Sequence, residues 1–398
     1  MEQVKKIRPY IYVSLLIVFS SFEFFFRSNI FLPILSVVAL TDAVIHKYKI
    51  NTTIALYILL ISLLYLIQGA FLGIHNINGI VIPFINLVGL AYIASIAYKD
   101  FIRVFTNIIF VIALYSLIIY LICLNTSIYD YMYNHVAVFD SINVDRAVFD
   151  GGGKNFIIYN FQTNVISKAI GVSRNCGPFW EPGMFAVFVL IALFFNLFLI
   201  KKGGLVKNII LIAALVSTFS TGGYIGGVFI FLLYIINTGF KLRNIFMFIP
   251  VAICVTIYVA NLEYIGEKTS EQFRYADTGS DQSRYGAFLT QIDMIEASPI
   301  IGGESIQNYA SSKTLASGTL WPIVVYGIPI ALVYYIDLFL ACRNLGLVYS
   351  KKRFIGVELY ALILLLSFSQ TILLNTIIIC LMFCGLLIRN QKRCLKPL

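Results

Sequence analysis

Charge is what this sequence lacks most. Only 12% of its 398 residues are Asp, Glu, Lys or Arg, about half of the roughly 25% carried by a soluble domain. That shortage excludes a soluble enzyme, a disordered chain and a nucleic-acid-binding protein. Histidine is scarce as well: His46, His75 and His135 are the only three and they stand far apart. The seven cysteines, Cys123, Cys176, Cys254, Cys342, Cys380, Cys384 and Cys394, are scattered singly. No metal-ligand spacing appears and no disulfide framework is plausible. No repeated acidic cluster suggests a divalent cation, so neither a metal nor a cofactor is expected. The N-terminus is basic and then apolar, but no small-residue cleavage site follows. It reads as a first span rather than a removable signal peptide.

Apolar residues fill the space: 60% of the chain, with a mean hydropathy of +0.88. A span needs about 20 apolar residues. Apolar runs lie near 10–26, 29–45, 52–72, 79–97, 104–124, 181–200, 208–220, 223–238, 245–259, 320–342, 354–369 and 374–389. The expectation is an all-α polytopic membrane protein of about twelve transmembrane helices, one integral membrane domain over residues 1–398. The seventh and eighth runs are short and separated only by Ser220-Thr221-Gly222-Gly223. They form either a tight hairpin or one broken element, and a break at membrane depth needs protein or water around it.

Orientation follows from counting. With the N-terminus inside, 20 of the 29 Lys and Arg fall in short cytoplasmic loops and the tail. The other nine are spread over longer outer segments. The positive-inside rule therefore puts both termini in the cytoplasm. This leaves two large extracytoplasmic loops, residues 125–180 and 260–319. With Glu181 at the edge of the first, they hold thirteen of the nineteen acidic residues. Polar chemistry is expected at that outer face.

The first loop ends in Ser173-Arg174-Asn175-Cys176-Gly177-Pro178-Phe179-Trp180-Glu181-Pro182-Gly183, a loop running into a helix start. Pro182 suits the first helical turn, and Glu181 is favoured there by the helix dipole. Phe179 and Trp180 belong at the membrane interface. The segment is either an interfacial cap with a snorkelling arginine, or a phosphate site with Arg174 as anion ligand and Glu181 as orienter or base. The second loop carries Asp277-Thr278-Gly279-Ser280-Asp281-Gln282-Ser283-Arg284-Tyr285-Gly286, an amphipathic stretch, then Pro299-Ile300-Ile301-Gly302-Gly303-Glu304. Arg284 either pairs with Asp281 or Asp277, or serves the same site. The glycines near 302 turn the chain. Asp150-Gly151-Gly152-Gly153-Lys154 is a flexible turn, because it lacks the full P-loop motif. Residues 155–164 mix Ile, Tyr and Phe, as a short strand, an aromatic sugar platform or plain loop packing.

Together these motifs resemble the O-antigen polymerase and ligase superfamily. Arg174 before Phe179-Trp180-Glu181-Pro182-Gly183 is similar to its first signature. Ser217-Thr218-Phe219-Ser220-Thr221-Gly222-Gly223-Tyr224 sits where the family has a Ser/Thr-rich turn, with Gly and Tyr here in place of the usual arginine. Ser283-Arg284, a helix and Pro299-x-x-Gly302 resemble the second signature. Leu320-Trp321-Pro322 through Tyr326-Gly327-Ile328 resembles the re-entry into the next span.

The resemblance implies a membrane glycosyltransferase of the GT-C-like kind that uses undecaprenyl-diphosphate-linked sugars as donor and acceptor. Arg174 and Arg284 would bind the diphosphate, since preorganised arginines stabilise such a leaving group without a metal. Glu181, Asp281 and Glu304 are the candidate bases, in that order, and Trp180 and Tyr285 the candidate sugar contacts. Family ligases carry a histidine before the span that follows the second large loop. The matching stretch, Gln307 to Thr314, has none, which favours polymerase over ligase. The implied setting is the outer face of the cytoplasmic (inner) membrane, among membrane lipids, with a flippase and a chain-length regulator as further partners and no nucleic acid. A transporter of the same lipid-linked sugars is the reading from another class. It would place functional charges such as Glu23, Asp337 and Glu358 in the membrane core.

Overall fold

The computed structural model describes residues 2–26, 30–48, 51–73, 77–140, 154–161, 174–201, 203–239, 284–303 and 318–394. Among them the secondary structure is almost wholly helical. The helices are α1 (Glu2–Ser21), α2 (Glu23–Phe26), α3 (Phe31–Ile45), α4 (Thr52–Leu72), α5 (Ile77–Ala97), α6 (Phe101–Ile122) and α7 (Thr126–Tyr131), followed by α8 (Pro182–Phe194), α9 (Leu205–Ser217), α10 (Thr221–Thr238), α11 (Arg284–Ala297), α12 (Trp321–Tyr349), α13 (Arg353–Ser369) and α14 (Thr376–Cys394). Six helical stretches are long and apolar enough to cross a membrane, and four shorter apolar helices accompany them. This is an all-α, membrane-embedded architecture. Eleven of the twelve apolar runs coincide with helices; the ninth, near 245–259, lies outside the described residues.

Local chemistry sets many of the ends. Asn51 opens α4 by accepting a hydrogen bond from Thr53 N at 2.7 Å, and Gly73 closes it in a left-handed conformation. Pro182 stands in the first turn of α8, where its missing N–H is not needed. The seventh and eighth apolar runs resolve as two helices, α9 and α10, joined through Thr218, Phe219 and Ser220. The Ser220 hydroxyl accepts from Gly223 N at 3.2 Å as the N-cap of α10.

The chain divides into two compact units. The first comprises Met1–Leu16, Ile30–Phe101 and Glu267–Leu398; the second, Ile17–Asn29 and Ile102–Gly266.

In the first unit, α3 packs on α5, and α12 on α13 and α14. In lipid no hydrophobic force drives helices together, so close approach and hydrogen bonds must hold them. Asn344 on α12 donates to Gly385 O on α14 at 3.1 Å. Arg8 on α1 pairs with Asp42 on α3, and His46 Nδ1 lies 3.2 Å from the same carboxylate. Apolar side chains face outward at several positions, Phe71 being 78% exposed. Such a surface suits lipid and not water.

The helix α12 is interrupted at Gly327 (φ +73°, ψ +165°), and the segment after α11 fills the gap. Gly303 N donates to Val324 O at 2.9 Å and Ile328 N to Pro299 O at 2.8 Å. The Gln68 amide on α4 donates to Ile301 O and Val325 O, both at 2.8 Å. The break at membrane depth is thus satisfied by protein groups. The glycines near 302 do more than turn the chain: Gly302 and Gly327 let two backbones touch. A Cβ on Gly302 would lie 2.5 Å from Gly327 N, and one on Gly327 only 2.1 Å from Ile300 O. Both have positive φ, where only glycine sits without strain.

In the second unit α8 is the central element. Its span Pro182–Leu199 is 94% buried, as expected of a helix apolar all round. It packs against α9 and α10. Near its far end Asn196 Nδ2 donates to Asn208 Oδ1 on α9 at 2.7 Å.

Candidate functional site

The loop of residues 174–181 runs into α8 and is built by polar side chains whose partners are distant in sequence. Asn175, fully buried, is its hub. Its backbone N–H donates to Ser217 O at 2.9 Å, and its Nδ2 to Ser217 Oγ at 3.0 Å and Ser116 Oγ at 3.3 Å. Its Oδ1 accepts from Gly177 N at 2.9 Å, an Asx turn that bends the loop. Gly177 sits at φ +53°. Asn160 fastens the other side: its N–H donates to Gly177 O at 2.7 Å and its Nδ2 to Phe179 O at 3.0 Å. It belongs to a small antiparallel sheet, β1 (Phe139–Asp140), β2 (Lys154–Asn155) and β3 (Asn160–Phe161), in that order.

The same loop docks on an interrupted first helix. α1 ends at Ser21, Phe22 bridges to Phe179, and α2 restarts at Glu23. Glu23 N donates to Pro178 O at 3.0 Å. The Phe179 ring lies 5.8 Å from Phe22, 5.4 Å from Phe185 and 4.9 Å from Phe188. Phe179 is completely buried. Three ring neighbours thus hold this apolar ring inside the protein.

Arg174 is part-buried, and its Nε donates to Thr218 O at 3.0 Å. Residues 174 and 218, more than forty positions apart, therefore meet. Tyr224 donates its hydroxyl to Val216 O at 2.8 Å and so closes the turn between α9 and α10.

Cys176 reads the charges around this loop. Its thiol is wholly buried and donates weakly to Arg174 O at 3.8 Å. Burial pushes its pKa well up from 9.0, Arg174 pulls it back, and the carboxylates of Glu23 and Glu181 push it further up. Glu181 is the N-cap residue of α8, with extended backbone and no side-chain cap bond. Trp180 is partly buried beside it, its carbonyl 3.5 Å from Asn160 Nδ2.

The remaining expectations fall elsewhere. Arg284 and Tyr285 open α11, whose backbone alone is described there; they belong to the first unit, and Arg174, Trp180 and Glu181 to the second. Asp281 and Glu304 lie outside the described residues. The segment expected as a strand or sugar platform forms the β2–β3 hairpin. Tyr159 and Phe161 turn into a buried cluster with Cys123 and Ala137, so those two rings pack the loop rather than present open faces. Among the described residues no group of three His, Cys, Asp or Glu is placed to hold a metal ion.

Sequence reasoning missed Asn160, Asn175 and Ser116. Asn175 had a readable signal, since Asn two residues before Gly favours an Asx turn. Asn160 and Ser116 are single polar residues in apolar runs and carry no local signal. No protein family, curated protein or solved structure matches this chain.

Proposed function

We propose that this chain is a membrane glycosyltransferase that polymerises undecaprenyl-diphosphate-linked oligosaccharide repeats, as O-antigen, capsule or exopolysaccharide, at the outer face of the cytoplasmic membrane. The proposal includes about twelve spans in a GT-C-like arrangement with both termini cytoplasmic. One observation carries it. Arg174, part-buried, is held by the Thr218 carbonyl at the start of the loop that leads to Glu181 at the N-terminus of α8. A guanidinium and a carboxylate carried on one partly buried loop suit transfer from a diphosphate.

In this reading Arg174 holds the donor diphosphate with a two-pronged guanidinium. The acceptor hydroxyl attacks the anomeric carbon of the donor glycan. The carbon–oxygen bond to the diphosphate breaks, and the carrier leaves as the lipid diphosphate. The hydroxyl proton passes to a carboxylate, for which Glu181 is the first candidate. Trp180 contacts sugar. A flippase that delivers repeats and a regulator of chain length are the proposed partners.

A second reading, a carrier of lipid-linked sugars, is favoured by the interrupted α12, because transporters build sites at broken helices. Asp337 on the same helix would be its charge. The glycan of a deletion strain separates the readings. Single repeats at the surface without a ladder support the polymerase. Long polymer held on the carrier at the outer face indicates a ligase. Repeats trapped on the cytoplasmic side indicate the carrier.

A further inference from the structure

We propose that the basic turn between α12 and α13, with the turn between α5 and α6 beside it, binds the headgroup of an anionic phospholipid. Lys99, Lys351, Lys352 and Arg353 supply the charge, and Phe354 meets the acyl chains. The site needs only a membrane-embedded chain and stands apart from the glycosyltransferase reading.

Packing within the first unit brings the two turns together. Helices α12 and α13 touch through glycines: a Cβ on Gly346 would lie 2.4 Å from Gly356 N, and one on Gly356 2.5 Å from Cys342 O. α12 ends at Tyr349, whose hydroxyl donates to Lys99 O, 250 positions away, at 2.7 Å. Lys99 stands between α5 and α6, both long and apolar enough to cross a membrane. The turn after α12 is fixed by Ser350, whose Oγ donates to Gly346 O at 2.6 Å and accepts from Lys352 N at 3.2 Å. Lys351 sits at φ +61°, where glycine would be free of strain. A charge kept at a strained position points to a function for it.

Charge and exposure identify the ligand. All four cations are exposed, and among the described residues none of them forms an ion pair. Lys99 Nζ lies over the Tyr98 ring, 5.6 Å from its centroid. Asp100 is the one acidic residue in the two turns, and Glu358 comes more than a turn further along α13. The patch is therefore strongly positive and complements an anion. Phe354, next in the chain, is 78% exposed, and Val357, one helical turn on, is 40% exposed. An apolar helix face left open in this way suits acyl chains, so the cations stand where that face reaches the headgroups. Basic clusters at the end of a membrane helix attract anionic lipids. A free phosphate or an acidic soluble protein would leave Phe354 in water.

The test uses the full-length protein in uncharged detergent, titrated with phosphatidylglycerol and, in parallel, with phosphatidylcholine. Binding is read from the rise of the melting midpoint with lipid concentration. Phosphatidylglycerol is expected to bind at least about tenfold more tightly, and added salt to weaken it. Lys351→Gln, Lys352→Gln and Arg353→Gln together are expected to weaken it at least about tenfold, and Lys99→Gln alone roughly fivefold, the effect of one charge at a membrane surface. Lys47→Gln with Lys201→Gln removes two exposed lysines elsewhere and is expected to leave the affinity unchanged. Equal binding of the two lipids, or full phosphatidylglycerol binding in the triple variant, overturns the site. An equal loss in the Lys47 and Lys201 variant overturns it too, in favour of diffuse attraction by net charge. Displacement of the lipid by inorganic phosphate at matching concentration overturns the lipid assignment. The changed side chains are all exposed, so the variants are expected to fold as the parent does.

Discussion

Two helices among the described residues are interrupted, and the two breaks are closed in different ways. In the first unit, the gap in α12 at Gly327 is filled by neutral groups: backbone from residues 299–303 and the Gln68 amide. In the second unit, the gap between α1 and α2 is met by the loop of residues 174–181, whose Pro178 carbonyl accepts from Glu23 N and which carries Arg174 and Glu181. A backbone break in lipid demands hydrogen bonds alone, and amides supply those at the least desolvation cost. Charges add a cost that packing does not require. The break in α12 is closed by neutral groups, and the break between α1 and α2 lies against a loop that carries charged residues.

The largest effect that would sharpen this contrast is at Gly327. Gly327→Ala combines strain at φ +73° with a Cβ 2.1 Å from Ile300 O, and is expected to cost about 3 kcal/mol or more. Gly73→Ala has the same kind of φ, +60°, but nothing within 4 Å, and should cost only about 1 kcal/mol. Recovery of monodisperse protein and its melting midpoint measure both. Equal losses would mean that strain, and not backbone contact, defines the neutral break.

Arg174→Lys keeps the charge and loses the fork. Polymer synthesis in membranes is expected to fall roughly 100-fold, with protein level and helicity retained. Full activity would remove the charged break from the chemistry. Gln68→Leu leaves the carbonyls of Ile301 and Val325 without their amide, at about 2 kcal/mol in all. Polymer length per folded molecule should not change. A well-folded Gln68→Leu protein that makes no polymer would move the neutral break into the site.

The smallest effect is on pH. Burial raises the Cys176 thiol from 9.0, so the folded state keeps a proton that the unfolded thiol loses. Stability from this group is fully present below pH 9.0 and declines as the pH rises beyond it. Melting curves at pH 8 and pH 10 should diverge, and Cys176→Ala should reduce the gap. An unchanged gap would place the alkaline sensitivity elsewhere, with Tyr159, raised above 10.0 mainly by burial, the next group to test.

Much of this was legible beforehand where a property is local. Apolar runs marked the helices because length and hydropathy belong to a window of sequence. Pro182 marked the start of α8 because proline lacks one N–H. The place of Phe179 was not legible, since three rings from two other segments decide whether it is inside. Nor was the docking of Glu23, which reads as a charge near the end of a span until Pro178 is found on its N–H.

The sequence by itself determined a membrane-embedded, helical protein, because too few charges and too many apolar residues leave no other way to satisfy the backbone. It also marked Arg174 and Glu181 as residues worth following. Only the tertiary structure decided that Arg174 meets the Thr218 carbonyl, that Asn175 and Asn160 hold the loop between them, and that Gly302 faces Gly327. Each of these contacts joins residues 19 to 44 positions apart, and contacts at such separations are fixed by packing the whole chain rather than by the preference of any window within it.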